Sequence, residues 1–335
     1  MENVAQNKGT SFVKSLLNAW SWLFLILILG FFEIYAQIET GNTFLFRVYN
    51  LQSIAVAASQ ILLLALGLTL VIVAGHIDLS IAFSSGLASV VIALVIRAAG
   101  PDAGWMIVLL ATVAGLLSAA LVGIVNGWLV AYLSVPSFIG TLGTYGVARG
   151  VALIIAGGAV VSIRNSYARD LGNSNILGFP IPLVAAMVLA LVCHYVLKHT
   201  RFGAHTYALG ANPASVERAG VDVKRHLIIL FVISALTAGM GGLIYTFRFS
   251  AGAANSGEPI LLYAVAAVFI GGASLTGGQG TITGTVIGAF IIAVIQFGLV
   301  FSGLPPYWQF VAVGLVIIIA VLVDQSKDRI VGGKA

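Results

Sequence analysis

Few side chains in this 335-residue sequence could do chemistry, and most of those lie within apolar runs. The stretch GHIDLS at 75–80 brings a glycine, a histidine and an aspartate close together. Asp78 is placed to cap the helix that follows, its carboxylate facing free amides and a positive dipole end. A gate is the competing reading, because Gly75 and a polar break can re-aim two neighbouring helices. In SFIGTLGTYGVARG (137–150), Thr141, Thr144 and Tyr145 are spaced so that they share one helix face. A hydroxyl-bearing face inside a membrane suits the passage of a neutral polyhydroxyl solute. A threonine can equally bond its own backbone carbonyls. Arg149, in the same run, is costly at membrane depth unless it is paired, wetted or able to snorkel to the outer surface. Gln60, Asn126, Gln296 and Gln309 are further amides within apolar runs, and hydrogen bonding between helices is their default role. Gln60, Asp78, Asn126, Thr141, Thr144 and Tyr145 are therefore the candidate residues of a translocation pathway or gate.

No arrangement for catalysis accompanies them. The sequence has no GxxxxGK[ST] phosphate loop, so ATP is not expected to bind here in that way. His194, His199 and His205 cluster in sequence, but with no HExxH pattern and only one cysteine a metal site is not expected. Cys193, being single, excludes an internal disulfide. No serine–histidine pairing suggests a hydrolase. Paired acids of the kind that serve proton-coupled carriers are missing, with Glu33 and Asp78 both near the ends of apolar runs. Neither catalytic residues nor a cofactor bound by this chain are expected.

The apolar runs are organised around one hydrophilic interruption, KHTRFGAHTYALGANPASVERAGVDVKRH at 198–226. Within it a short helix has its boundaries written out. Asn212 is a good N-cap, and Pro213 stands at the first helical position, where a missing N–H costs nothing. Ala214 to Ala219 fit about two turns, and Gly220 is placed to leave the helix with φ > 0. Asp222 is placed to cap the next run. A helix of two turns needs a surface to lie against. That surface is either the chain's own bundle or a soluble cytoplasmic partner.

Composition sets the frame. Hydrophobic residues make up 60% and charged residues 8%, with a mean hydropathy of +1.07. A soluble domain carries roughly 25% charged residues, so this is an all-α polytopic membrane protein. At about 20 apolar residues per crossing, the sequence gives ten candidate spans: about 18–36, 52–74, 79–97, 105–131, 137–156, 180–198, 226–248, 260–275, 281–301 and 307–324. The eighth is short and Gly-rich. No small-residue cleavage site follows the first, which is read as a retained span. With the N-terminus inside, one side holds Lys8, Lys14, Lys198, Arg201, Arg218, Lys224, Arg225, Lys327, Arg329 and Lys334. The other holds Arg47, Arg97, Arg164, Arg169 and Arg248. This is the positive-inside bias, and it puts both termini in the cytoplasm. The net charge of +5 follows that topology and does not point to nucleic acid. The expected division is a tail at 1–17, a membrane domain at 18–325 with a cytoplasmic loop at 199–226, and a tail at 326–335.

Small-xxx-small pairs such as Gly146/Gly150 and Gly284/Gly288 predict close helix packing. VIVAGHIDLS (71–80) echoes VFIGGASLT (268–276), and NGWLVAYLSVPSF (126–138) echoes QFGLVFSGLPPYW (296–308). Their spacings disagree, so a clean duplication does not follow. Diverged inverted halves stay open. Tyr307 and Trp308 suit an interfacial anchor. The outer loop at 157–180 either receives an extracytoplasmic partner or caps the bundle.

Several blocks together resemble one family. GHIDLSIAFSSG, NGWLVAYLSVPSFIGTLGTYGVARG, ALGANPASVERAGVDV, GGLIYTFRFSAG, FIGGASLTGGQGTITGTVIGAFIIAVIQFGL and PPYWQFVAVGLVIIIAVLVD are similar to the permease subunits of ribose-type, simple-sugar ABC importers. The blocks run in order from about residue 50 to 325. His76 departs from the pattern, where the family usually has a second glycine before IDLS. The resemblance implies an ABC-importer permease fold in a bacterial cytoplasmic membrane, with two permease copies, identical or not. It also implies cytoplasmic ATP-binding subunits that carry ATP and Mg, and an extracytoplasmic sugar-binding protein. By the same resemblance, Asn212, Pro213, Ala214, Glu217, Arg218, Ala219 and Gly220 fall in a coupling helix that docks on the ATPase. The alternatives are a permease for nucleosides or branched-chain amino acids and, in another class, an ion-coupled secondary transporter.

Overall fold

Apolar runs form helices here because in hydrocarbon every backbone polar group must be satisfied within its own segment. The computed structural model describes residues 2–332, with side chains from Trp20 to Leu322 except at positions 40 and 321. Lys8, Lys14, Lys327, Arg329 and Lys334, counted above, lie outside the described side chains. In chain order the elements are α1 (Glu2–Thr40), α2 (Val48–Val73), α3 (Ile81–Ala99), α4 (Trp105–Leu133), α5 (Ser137–Ala156), β1 (Val161–Ser162), α6 (Ser166–Asn173), β2 (Asn175–Ile176) and β3 (Phe179–Pro180). There follow α7 (Ile181–His199), α8 (Arg201–Ala211), α9 (Pro213–Arg218), α10 (Val223–Phe249), β4 (Ala251–Gly252), α11 (Glu258–Ile270), α12 (Ile282–Phe301) and α13 (Trp308–Gly332).

Among the described residues, eight helices are long and apolar enough to cross a membrane: Trp20–Glu39 within α1, then α2, α3, α4, α5, α7, α10 and α12. The shorter apolar helix Glu258–Ile270 and the apolar stretch Trp308–Ala320 of α13 occupy the eighth and tenth expected spans. The protein is thus a helical, polytopic membrane protein.

α2 lies at the centre, buried along nearly its whole length from Ile54 to Val73. Its sequence has no polar stripe, as befits a helix surrounded on every side. It packs against α10, α12, α11 and α7, while α3 packs against α10, α4 and α5. α4 and α5 are mostly exposed and present aliphatic side chains outward. Glu33 closes the α1–α2 turn, its Oε2 accepting from the Phe44 and Leu45 amides at 2.8 Å each.

Glycines decide which helices come closest. On α4, Gly123 and Gly127 lie one turn apart. A Cβ on either would fall 2.6 Å from α10, on the Phe231 carbonyl oxygen or Ile228 Cα. The expected Gly284/Gly288 pair behaves alike, lying against the backbone of Gly271 and Ala267 at the end of α11. Gly146 and Gly150 differ from expectation: a Cβ on either would meet nothing in this chain. Their side of α5 faces outward, so the pair has no neighbouring helix to admit.

The 157–180 loop is more ordered than its polarity suggests. Asn165 caps α6, its Oδ1 accepting from the Ala168 amide at 3.0 Å, and α6 packs on α10. β1 pairs antiparallel with β4, Val161 opposite Gly252, and β2 pairs with β3.

Candidate functional site

The break between α2 and α3 lies inside the bundle and is held by a chain of buried polar side chains. Asp78 is fully buried. Its Oδ1 accepts from the Ser80 amide at 3.0 Å and the Ser80 hydroxyl at 2.7 Å. Its Oδ2 accepts from Ser234 Oγ of α10 at 2.8 Å. Asn126 of α4 donates through Nδ2 to Ser80 Oγ at 2.7 Å, and Thr144 Oγ1 of α5 donates to Asn126 Oδ1. One connected network therefore ties α10, the break, α4 and α5. Each lone pair used here would otherwise be buried without a partner, at roughly 1–3 kcal/mol.

This corrects the expected role of Asp78. The residue preceding α3 is Ser80, which makes no side-chain capping bond. The carboxylate bonds instead to the amide and hydroxyl of Ser80, just ahead of α3, and to Ser234 of α10.

Thr141 joins the same region from α5. Its Oγ1 donates to the Ser137 carbonyl at 2.8 Å and accepts from the Leu79 amide at 3.2 Å, while Ser137 Oγ accepts from the Ile77 amide at 3.2 Å. The threonine thus bonds its own helix and the break at once. Thr144 also borders a cleft of about 320 Å³ between α3, α4 and α5, lined otherwise by aliphatic residues and Ser118. Asp78, Asn126, Thr141 and Thr144 are brought together. Tyr145 and Gln60 are not: Tyr145 packs edge-on against Phe83, ring centroids 4.4 Å apart, and the Gln60 amide nitrogen is buried without a hydrogen-bond partner. Ser234 was missed, since a serine in an apolar helix has no local signal to mark it.

The hydrophilic loop folds as two helices. α9 has the punctuation read from its residues: Asn212 Oδ1 accepts from the Ser215 amide at 3.2 Å, Pro213 opens the helix, and Gly220 leaves with φ of 80°. Asp222 Oδ1 accepts from the Arg225 amide at 3.0 Å and caps α10. On α9 only Val216 is buried; Ala214, Glu217, Arg218 and Ala219 are exposed. α8, which precedes it, carries little apolar period and was not expected. Tertiary contacts hold it: Thr206 Oγ1 lies 2.9 Å from His226 Nε2, and the Tyr207 hydroxyl donates to the Gly280 carbonyl at 2.6 Å.

α8 ends against both breaks between apolar helices, that of α2–α3 and that of α11–α12. Its Gly210 meets Gly75 from the α2–α3 break and Gly277 from the α11–α12 break. A Cβ on Gly277 would lie 2.8 Å from Gly75 Cα and 3.0 Å from Gly210 Cα. The Gly278 amide donates to the Val73 carbonyl at 2.8 Å. The two stretches that echo one another in sequence therefore meet in space. Each turns at a glycine of positive φ, 81° at Gly75 and 86° at Gly272. Among the described residues, no three His, Cys, Asp or Glu side chains gather into a metal site.

A bundle of apolar helices with two breaks that a hydrophilic helix touches fits a membrane permease domain. Residues 50–321 match the family described as branched-chain amino acid transport system / permease component, and the chain belongs to that family. The ribose import permease of Escherichia coli (strain K12) is 34% identical over 301 residues, 88% of this chain and 91% of that one. That of Bacillus subtilis (strain 168) is 36% identical, covering 79% and 81%. The galactose/methyl galactoside import permease of Haemophilus influenzae is 30% identical over 98% of both chains. No solved structure matches. The protein is a multi-pass permease of the cytoplasmic membrane.

Proposed function

We propose that this chain forms the translocation pathway of an ATP-driven importer for a monosaccharide or related polyol. The similarity to ribose import permeases over 88% of the chain carries this reading, and relatives named for D-allose, galactose and xylose transport extend it. In this reading the chain crosses the membrane ten times with both termini in the cytoplasm, the short α11 and the longer α13 included. It pairs with a second permease copy and receives solute from an extracytoplasmic binding protein. ATP and Mg stay on cytoplasmic partner subunits, and this chain makes and breaks no covalent bonds.

α9, with Asn212, Pro213, Ala214, Glu217, Arg218, Ala219 and Gly220, is the docking element for the ATPase. Its exposed side chains and single buried contact at Val216 favour that role. Closure of the ATPase pair would displace α8 and α9 together. Through Gly210 that displacement reaches Gly75 and Gly277, hence both breaks. The rigid polar network around Asp78 then carries the movement of the first break to α4, α5 and α10.

Co-purification followed by reconstituted uptake tests the proposal. An ATP-binding subunit that leaves when α9 is disrupted, together with ATP-dependent sugar uptake, is the expected result. Uptake by the chain alone under an ion gradient without ATP would overturn it. The family's own description favours branched-chain amino acids as a second reading. Uptake of leucine in place of a sugar would select it.

A further inference from the structure

One charged pair within the bundle takes no part in the network around Asp78. Arg149 of α5 lies 3.7 Å from Glu258, the first residue of α11. The guanidinium also sits over the Phe83 ring, 5.1 Å from its centroid, and Tyr145 meets the same ring edge-on. Among the described residues, neither Arg149 nor Glu258 makes a side-chain hydrogen bond. The guanidinium's five donors and the carboxylate's lone pairs are therefore open. Both side chains are half-exposed, at 46% and 41%.

The depth of the pair gives this meaning. α11 has 13 residues and rises about 20 Å, against a hydrocarbon thickness of about 30 Å. Arg149 lies about 18 Å along α5 from Ser137 and about 10 Å from Ala156. Glu258 is reached by an irregular segment whose Ala253, Ala254, Ser256 and Gly257 are buried, with Ala253, Ala254 and Gly257 against α3. Irregular backbone at such depth occurs where it is enclosed by protein or lines a watery cavity. Half-exposed charges with open hydrogen-bonding groups are costly against lipid tails, which favours watery surroundings for the pair. The adjoining surface of α5 is open, because a Cβ on Gly146 or Gly150 would meet nothing in this chain.

We infer that Arg149, Glu258 and Tyr145 form a solute station in the translocation pathway, which takes the vicinal hydroxyls of a sugar. The guanidinium donates to hydroxyl oxygens, the carboxylate accepts from hydroxyl protons, and the Tyr145 ring flanks the C–H face of the sugar. Two charged groups held apart at 3.7 Å can each turn to a neutral diol and then return to one another. Binding of this kind is weak enough to release the solute, which a pathway requires. The inference rests on the sugar-importer reading and locates the solute within it.

The test uses the assembled importer in proteoliposomes, with Cys193→Ala as background. Arg149→Cys and Leu191→Cys chains are exposed to a charged methanethiosulfonate reagent. Leu191 lies on an exposed aliphatic part of α7, away from α5. Modification at 149 is expected at least tenfold faster than at 191, and slowed by the transported sugar. Separately, Arg149→Gln and Glu258→Gln should each lower uptake at least tenfold, with Arg149→Lys retaining more. Equal modification rates at 149 and 191 would overturn the station. So would full uptake by the charge-exchanged chain Arg149→Glu/Glu258→Arg, because a mere staple between helices tolerates exchange. Uptake of D-ribose, D-allose, D-galactose and D-xylose by the unsubstituted importer is measured alongside. Failure with all four would sink the sugar reading itself, whatever the labelling shows.

Discussion

The amide of Gly278 donates to the carbonyl of Val73 at 2.8 Å, joining the turn after α11 to the last residue of α2. This bond closes one side of the glycine junction at which α8 also ends. Backbone meets backbone there, and at Gly210 and Gly277 the junction leaves no room for a Cβ. Packed contacts of that kind shift as a unit rather than deform.

Replacement of Gly210 should therefore be severe. A Cβ at this position would collide with the Val73 carbonyl and the Gly278 amide. Gly210→Val should destabilise the protein by about 1–3 kcal/mol, the usual cost of overpacking, and lower ATP-driven uptake. Gly143→Ala, where a Cβ meets nothing, is the control. Thermal unfolding in detergent, read beside uptake, checks both; equal behaviour of the two variants would remove the junction from the mechanism.

Loss of Ser234 should strand one oxygen of a buried carboxylate. Ser234→Ala is expected to cost about 1–3 kcal/mol, and Asn126→Ala, which unlinks Ser80 from Thr144, a similar amount. Both act on one network, so a double-mutant cycle should give a coupling of at least about 0.5 kcal/mol. Strict additivity would mean that the two bonds are independent.

At α9 two substitutions separate helix stability from coupling. Asn212→Ala removes the cap on Ser215 and should cost about 1 kcal/mol. Gly220→Val forces a β-branched residue to a φ of 80°, which L side chains rarely adopt. It should leave ATP hydrolysis running while uptake falls severalfold. Normal uptake per ATP hydrolysed by this variant would count against α9 as the coupling element.

Tyr207 supplies a pH prediction. Burial pushes its phenol above the ordinary value, which is about 10. The proton it donates to Gly280 is thus favoured in the folded chain. Its contribution is complete below the unfolded value and is lost as pH rises through the raised folded one. Tyr207→Phe should cost about 1 kcal/mol at neutral pH, and the difference from the unsubstituted chain should shrink above pH of about 10. Stability measured across that range checks the sign.

Much of this protein was legible along the chain, and its legible parts share one property. The long spans follow from runs of apolar residues, because hydrocarbon admits little else. The ends of α9 and the start of α10 follow from Asn212, Pro213, Gly220 and Asp222, whose partners lie within three residues. Local chemistry settles such features before any helix meets another. Asp78 shows where that ends: as a local cap it would face α3, yet one of its partners is Ser234, 156 residues away. Glu258 for Arg149, Gly75 for Gly210, and the outward turn of Gly146 and Gly150 are likewise matters of which helix lies beside which. Lipid favours every apolar face alike, so hydropathy places a helix in the membrane but does not choose its neighbours. Close packing at glycines and the need to satisfy each buried polar atom make that choice, and they act only once the helices have come together.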